Sequence, residues 1–447
     1  MSPPATAPHG TLDRLYEILV EDEDARACRD IPDRECTNLP RNFFLLVAGQ
    51  LATKIGDELS NAKTVLAWLL GAVGAPVFFV SLLVPIRESG ALVPQLLFAA
   101  PVRARPLRKS MYGLGNLLQG LLMIAIALAG LTLSGLAAGI AIIGALTAFS
   151  LARGLASVAA KDVIGKTIPK GRRGRLNGYS GSLAGVVAMA AGLAFLFLPM
   201  DDGGRLILCG VLLVAGILWL VAAVLLARVA ETPGATGGGA NAWREALGAA
   251  TLLRTDVPFR RFVIVRALLL CSALTAPFLV VLAQGTASGD AGVQAGVGLL
   301  GGFIIANGLA SALSAPVWGR WADRSSRRVL AIGGLMSAGL ALAIAVIQWL
   351  APALASMAWI YPVAFFILGI AHSGVRMGRK TYVLDLGGGE RRTDYVAVSN
   401  SVIGVVLLAV GLATAILSLL SPVLVIVVLA VFGLAGALLT WSLPEVE

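Results

Sequence analysis

The chain has 447 residues, 57% of them hydrophobic and 13% charged, with a mean hydropathy of +0.86 and a formal net charge of +10. A soluble globule of this composition would carry apolar surface that nothing covers, so the sequence reads as a polytopic membrane protein. A soluble nucleic-acid-binding protein is excluded as the source of the positive charge, because the basic residues follow the loops between apolar runs.

Residues 1–40 contain no apolar stretch of the kind a cleaved signal carries. Leu12, Leu15, Tyr16 and Leu19 fall on one helical face, followed by the acidic run Glu21-Asp22-Glu23-Asp24, which predicts a short amphipathic helix on the inner face of the membrane. Cys28 and Cys36, with seven residues between them and no histidine nearby, have poor spacing for a metal site. Apolar runs long enough to cross a bilayer, about 20 residues each, then follow at 42–69, 75–100, 110–131, 136–160, 177–198, 206–228, 261–283, 296–319, 329–349, 357–377, 394–419 and 422–442. Lipid offers no hydrogen bonds to bare backbone and these runs are far longer than barrel strands, so twelve transmembrane helices and an all-α fold are expected. Cys209 and Cys271 lie inside spans and imply no disulfide.

Orientation follows from charge. With the N-terminus inside, every Lys or Arg outside the spans except Arg205 falls in a cytoplasmic segment; Lys54, Lys63, Arg87, Arg153 and Arg266 lie within spans, and Arg228, Arg261 and Arg376 stand at their cytoplasmic ends. Both termini are therefore expected in the cytoplasm, with the basic loops against anionic headgroups of the inner leaflet of the cell inner membrane.

Shifting the chain against itself by 219 positions places Arg41 on Arg260, Phe43 on Phe262, Arg105 on Arg324, Arg108 on Arg327, Lys109 on Arg328, Lys161 on Lys380, Arg172-Arg173 on Arg391-Arg392 and Gly185 on Gly404. Basic residues are scarce here, and one offset keeps them in register through three separate loops. The sequence thus predicts a cytoplasmic segment over 1–40, a six-helix bundle over 41–228, a linker over 229–258 and a second, pseudo-symmetric six-helix bundle over 259–447. The linker holds Thr232-Pro233-Gly234 and Gly237-Gly238-Gly239, which suit a flexible crossing, and a surface helix is expected over Trp243 to Arg254.

After span eight the chain reads Gly319-Arg320-Trp321-Ala322-Asp323-Arg324-Ser325-Ser326-Arg327-Arg328. This resembles the loop pattern G-x-x-x-D-R-x-G-R-R of the major facilitator superfamily and departs from it only at Ser326. The first-half copy, Ala100-Pro101-Val102-Arg103-Ala104-Arg105-Pro106-Leu107-Arg108-Lys109, lacks the glycine and the aspartate. The resemblance covers residues 41–443 and implies two bundles rocking about a central cavity. It also implies a cytoplasmic gate in which Gly319, Asp323, Arg324, Arg327 and Arg328, with Arg105, Arg108 and Lys109 in the first half, tie helices together. The plainer reading of Arg105, Arg108 and Lys109 is topology and lipid headgroups.

An ionisable group at mid-membrane costs at least about 2.5–3.5 kcal/mol and needs a partner, an aqueous cavity or a route to the interface. Span one carries Lys54, Asp57 and Glu58 near its centre, spaced three and four residues apart and hence on one face. Span two carries Arg87 and Glu88 at its midpoint, and adjacent positions diverge by about 100°, so they cannot aim at one point. Arg87 is expected to meet Asp57 or Glu58, leaving Glu88 to face the cavity or a bundle neighbour. The repeat places Arg87, Glu88 and Asp57 on Ala306, Asn307 and Ala276, so the charges belong to one half. That favours substrate binding or coupling over assembly, with a buried structural salt bridge as the competing reading. Arg153 in span four corresponds to His372 in span ten; snorkelling competes with function for the first, and a hydrogen-bonded packing role for the second. Arg266 and Arg376 lie near inner span ends and are expected to snorkel. A carboxylate such as Glu88 or Asp57 has the chemistry to carry a coupling proton, and Arg87 to hold an anionic group on a substrate.

Gly181, Gly185 and Gly192, and Gly296, Gly298, Gly301 and Gly302, read as close-packing positions of helices. No glycine-rich turn between strand and helix is present to cradle phosphates, so ATP-driven transport is unsupported, and no cofactor or metal is expected. With two histidines and no Ser/His/Asp set, an enzyme is not expected. Span five lacks the Gly-Pro element of many antiporters of the family. The sequence predicts a monomeric secondary transporter of a small organic solute, with an anionic group as one option, coupled to protons and working by alternating access. Efflux of amphipathic or toxic compounds, and a non-transporting sensor or assembly role acting through the N-terminal segment, are the alternatives.

Overall fold

A computed structural model describes residues 16, 36–93, 98, 101–102, 104–197, 204–234, 236, 251–286, 292–387 and 392–446. The rest of the expected amphipathic helix, Cys28, Arg103, the run Gly237-Gly238-Gly239, Trp243 and Arg391 lie outside these residues. All regular structure among the described residues is helical. Among the described residues, nine helical segments are long and apolar enough to cross a membrane by length and composition.

The first apolar run is not one helix. It forms α1 (Leu39–Leu59) and α2 (Val65–Ala72), because Ser60, Asn61 and Thr64 offer the backbone local alternatives to helix. The Ser60 hydroxyl donates to Gly56 O at 2.8 Å, and the Lys63 N–H donates to Asn61 Oδ1 at 2.9 Å. Then come α3 (Val77–Leu92), α4 (Lys109–Thr132), α5 (Gly135–Thr167), α6 (Lys170–Phe197) and α7 (Gly204–Ala227). Gly135 opens α5 at φ 58°, a left-handed conformation that suits glycine, and its N–H donates to Val73 O.

The seventh expected span is broken as well, into α8 (Val257–Leu268), α9 (Cys271–Leu274) and α10 (Ala276–Thr286). The eighth and ninth share α11 (Gly292–Leu350), two rods joined at Ser325, whose backbone is extended (φ −164°, ψ 97°). The series ends with α12 (Ile360–Gly387), α13 (Arg392–Ser418) and α14 (Pro422–Thr440). Of the surface helix expected over Trp243 to Arg254, only the turn Leu252–Thr255 falls within the described residues.

In the first half α4 packs on α5 and α7, α1 on α6 and α7, and α3 on α5; in the second, α11 packs on α12 and α14. In lipid the hydrophobic effect does not drive helices together, so close contact between small residues carries the packing. A Cβ on Gly120 would lie 2.9 Å from Gly216 O, and one on Gly216 would lie 3.0 Å from Gly120 O, so the two backbones touch at a pair of glycines. Leu121, Leu128, Leu136, Ile140, Val224 and Val346 are exposed on the outer surface, as a lipid-facing belt requires.

Two seams join the halves, α3 on α13 and α6 on α11. The 219-residue shift carries α3 onto the first rod of α11 and α6 onto α13, so each seam is the image of the other.

Candidate functional site

The seams are closed unevenly. α6 and α11 meet at glycines: a Cβ on Gly301 would lie 2.7 Å from Gly192 O. Gly178, Gly185, Gly308 and Gly319, nearer the basic loops on the same helices, have no neighbour at that range among the described residues. At the end away from the basic loops, Gln284 Nε2 donates to Trp68 O at 3.0 Å, and Trp68 packs on Phe303 with ring centroids 6.4 Å apart. The halves are sealed at that end.

Between them lies a cavity of ≈ 270 Å³. Its first-half wall includes Asp57, Glu58, Asn61, Lys63, Arg87, Glu88 and Arg153; its second-half wall includes Ser272, Ala276, Asn307, His372, Ser373 and Arg376. Three pairs of these positions are related by the repeat: Asp57 with Ala276, Glu88 with Asn307, and Arg153 with His372. The pseudo-two-fold axis therefore runs through the cavity, and the break between α1 and α2 delivers Asn61 and Lys63 to its wall.

Asp57 is the centre of the charge network. Its Oδ1 accepts from Arg87 Nη2 at 2.8 Å and from Arg153 Nη1 at 2.5 Å, linking α1 to α3 and α5. Arg87 also donates from Nη1 to Ser60 O at 3.2 Å and lies 5.1 Å from the centroid of the Phe149 ring, a cation–π distance. Only 9% of its side chain is exposed, so this guanidinium holds the break in the first helix rather than facing a solute. Arg153 does not snorkel; it is held by Asp57. Glu88, one residue past Arg87 and turned about 100° away, is exposed to the cavity and forms no ion pair among the described residues. His372 Nδ1 lies 3.0 Å from Ser272 Oγ.

Lys54 departs from the sequence expectation of a shared face with Asp57 and Glu58. Its long side chain crosses to α6, where Nζ donates to Asn177 O at 3.0 Å and Ser180 Oγ at 2.7 Å. Arg266 and Arg376 depart as well. Arg266 is buried and donates to Ser399 and Asn400, and Arg376 lines the cavity. The spacing of Leu368, Gly369, His372, Ser373 and Arg376 is that of one helical face, so His372 was the signal that places Arg376.

The basic loops are tied by acids that follow the last helix of each half. Glu231, its side chain fully buried, accepts from Lys109 N at 2.7 Å and from Lys166 Nζ at 2.9 Å. Arg108 pairs with Asp162 of α5 at 3.3 Å. In the second half Arg327 pairs with Glu445 and donates to Leu443 O at 3.0 Å, and Ser325 Oγ donates to Glu445 Oε1 at 2.7 Å. Asp323, Arg324 and Arg328 are exposed, as is Arg105, and Gly319 stands in open space. The contacts of this loop thus run through Arg327 to the C-terminal segment, with Asp323 and Arg324 forming no ion pair among the described residues.

Several solved structures superpose on almost the whole chain. A POT family transporter in complex with a thioalcohol-conjugated peptide matches at a TM-score of 0.66 and 12% identity, over 93% of this chain and 98% of that one. A D-xylose-proton symporter matches at 0.63 and 14%, over 91% and 98%. The chain has the major facilitator fold. The nucleoside transporter NupG matches it too, at 0.64 and 12%, over 90% of this chain and all of that one. No family model matches the chain, and no curated protein matches it in sequence. The loop at Gly319 to Arg328 and the two halves in register are the sequence counterparts of a major facilitator fold that identity alone would not reveal.

Proposed function

We propose that the chain is a secondary active transporter that moves a small polar organic solute, with an anionic group among its chemical features, through the cavity between its two halves. The reading takes the chain to make twelve membrane passes. To the nine segments above are added α1 with α2 and α3, which span one and two predict, and the division of the 53-residue segment Gly298–Leu350 into two at Ser325. The basic loops then face the cytoplasm with both termini, and the seal at the opposite end makes this a cytoplasm-facing state. The major facilitator structures that share the fold carry peptides, xylose or nucleosides by their own descriptions, which favours transport over a sensor role.

One observation carries the coupling. Glu88 forms no ion pair among the described residues, whereas Asp57 in the same wall, which Glu58 also lines, is held by two arginines. A carboxylate able to face water from either side as the halves rock can load and release a proton, while Lys63 and Arg376 offer cationic contacts to the solute. The test begins with a thermal-shift screen of small carboxylates, amino acids, sugars and nucleosides on purified protein, followed by flux in proteoliposomes under an imposed pH gradient. Wild-type protein is expected to accumulate its solute against a concentration gradient, and Glu88→Gln to exchange solute without accumulating it. Accumulation that ignores the pH gradient overturns proton coupling, and wild-type accumulation by Glu88→Gln removes this residue from it.

A further inference from the structure

Arg266 of α8 is 8% exposed, well inside a helix that crosses the membrane. Its Nη1 donates to Ser399 Oγ at 2.5 Å and its Nη2 to Asn400 Oδ1 at 2.8 Å, both neutral, while its buried Nε has no partner among the described residues. Arg379 of α12 lines the same small cavity, of ≈ 20 Å³, whose other walls are Leu269, Leu270, Ala273, Leu330 and Val375 with Ser272 and His372, and among the described residues no carboxylate lines it. Neither guanidinium is in an ion pair among the described residues. Glu88, whose charge reaches Arg379, stands on α3 in the other half.

Elsewhere in the membrane interior, the buried Arg87 and the half-buried Arg153 share an acid, Asp57. Two cations turned to one enclosed space repel each other, and a buried charge without a counter-charge is strongly unfavourable. We propose that this cavity binds a monatomic anion, chloride in the cell, between Arg266 and Arg379. Its volume admits about one particle of the size of water, which excludes phosphate, sulfate and the carboxylate of a solute. Guanidinium N–H groups supply the hydrogen bonds, and the leucine and valine walls suit an ion that is only weakly hydrated. Ser272 and His372 line both this cavity and the central one, which gives the ion a route in. The anion would fix α8 to α12 and α13 as one unit, a structural task independent of what the central cavity carries.

The test is an equilibrium measurement that does not depend on transport. Purified full-length protein is titrated with sodium chloride, then sodium bromide, in sodium gluconate at constant ionic strength, and the unfolding midpoint is read from tryptophan fluorescence. A saturable rise of about 2–4 °C is expected, absent in Arg266→Gln and in Arg379→Gln. Arg379 is the less buried of the two, so its variant keeps the test alive if Arg266→Gln fails to fold. Crystals soaked in bromide are expected to show an anomalous peak between the two arginines. No halide-specific shift at matched ionic strength, a shift retained in Arg379→Gln, or a cavity without bromide would each overturn the proposal.

Discussion

The two halves build one cavity from the same positions with opposite chemistry. Asp57, Glu88 and Arg153 in the first half face Ala276, Asn307 and His372 in the second. The scaffold repeats while the charges do not, so the second bundle forms without the charge network that ties helices in the first. Their loops differ in a parallel way: Glu231 is fully buried beneath the first-half loop, whereas 41% of the Glu445 side chain is exposed beneath the second. At the basic loops, then, the first half buries its acid and the second half leaves its acid wet. Electrostatic changes should therefore cost far more in the first.

The largest expected effect is from Asp57→Asn. It strands Arg87 and Arg153 without their shared acid and should destabilise the protein by about 3–5 kcal/mol in thermal or denaturant unfolding. Adding Arg87→Gln should recover part of that loss, and strictly additive effects would show that the pair is not coupled. Next is Gly301→Val, whose side chain meets the Gly192 backbone at the sealed end; about 1–3 kcal/mol is expected, against no measurable change for Gly308→Val, which enters open space. Glu231→Gln should cost about 2 kcal/mol because it weakens a buried, charge-assisted contact, whereas Glu445→Gln should cost below about 1 kcal/mol. Equal losses at the two acids would break the contrast between the halves. The smallest effect is expected from Asn307→Ala, within about 0.5 kcal/mol of wild type, although it sits where Glu88 sits in the other half.

Much of the fold was legible because periodic apolar runs and a strict 219-residue register survive without any knowledge of contacts. The breaks were less so. Ser60, Asn61 and Thr64 signal a disrupted helix, but the surrounding hydropathy hides them within one long run. At the site, depth along a span can be counted, which brought Asp57, Glu58, Arg87, Glu88, Arg153 and His372 to the cavity. What cannot be counted is where a long side chain ends. Lys54 shares a helical face with Asp57, yet its four-carbon stem carries the ammonium across to the carbonyl of Asn177. Arg266 and Arg376 sit at a depth from which a flexible cation can reach the interface, and only the packing of neighbouring helices turns one into a buried core and the other into a cavity.

The single oxygen Asp57 Oδ1 has a mechanical consequence. It receives arginines from two different helices while sitting on a third, and Arg87 in turn grips the backbone where α1 ends. Three helices joined at one atom lose their freedom to slide past one another, so any rocking of the halves would carry α1, α3 and α5 together. Relative motion is then confined to the two seams, where glycine against proline or glycine against glycine leaves smooth surfaces, as at Gly411 on Pro85 and Gly301 on Gly192. The ion network thereby decides where the protein bends by deciding where it does not.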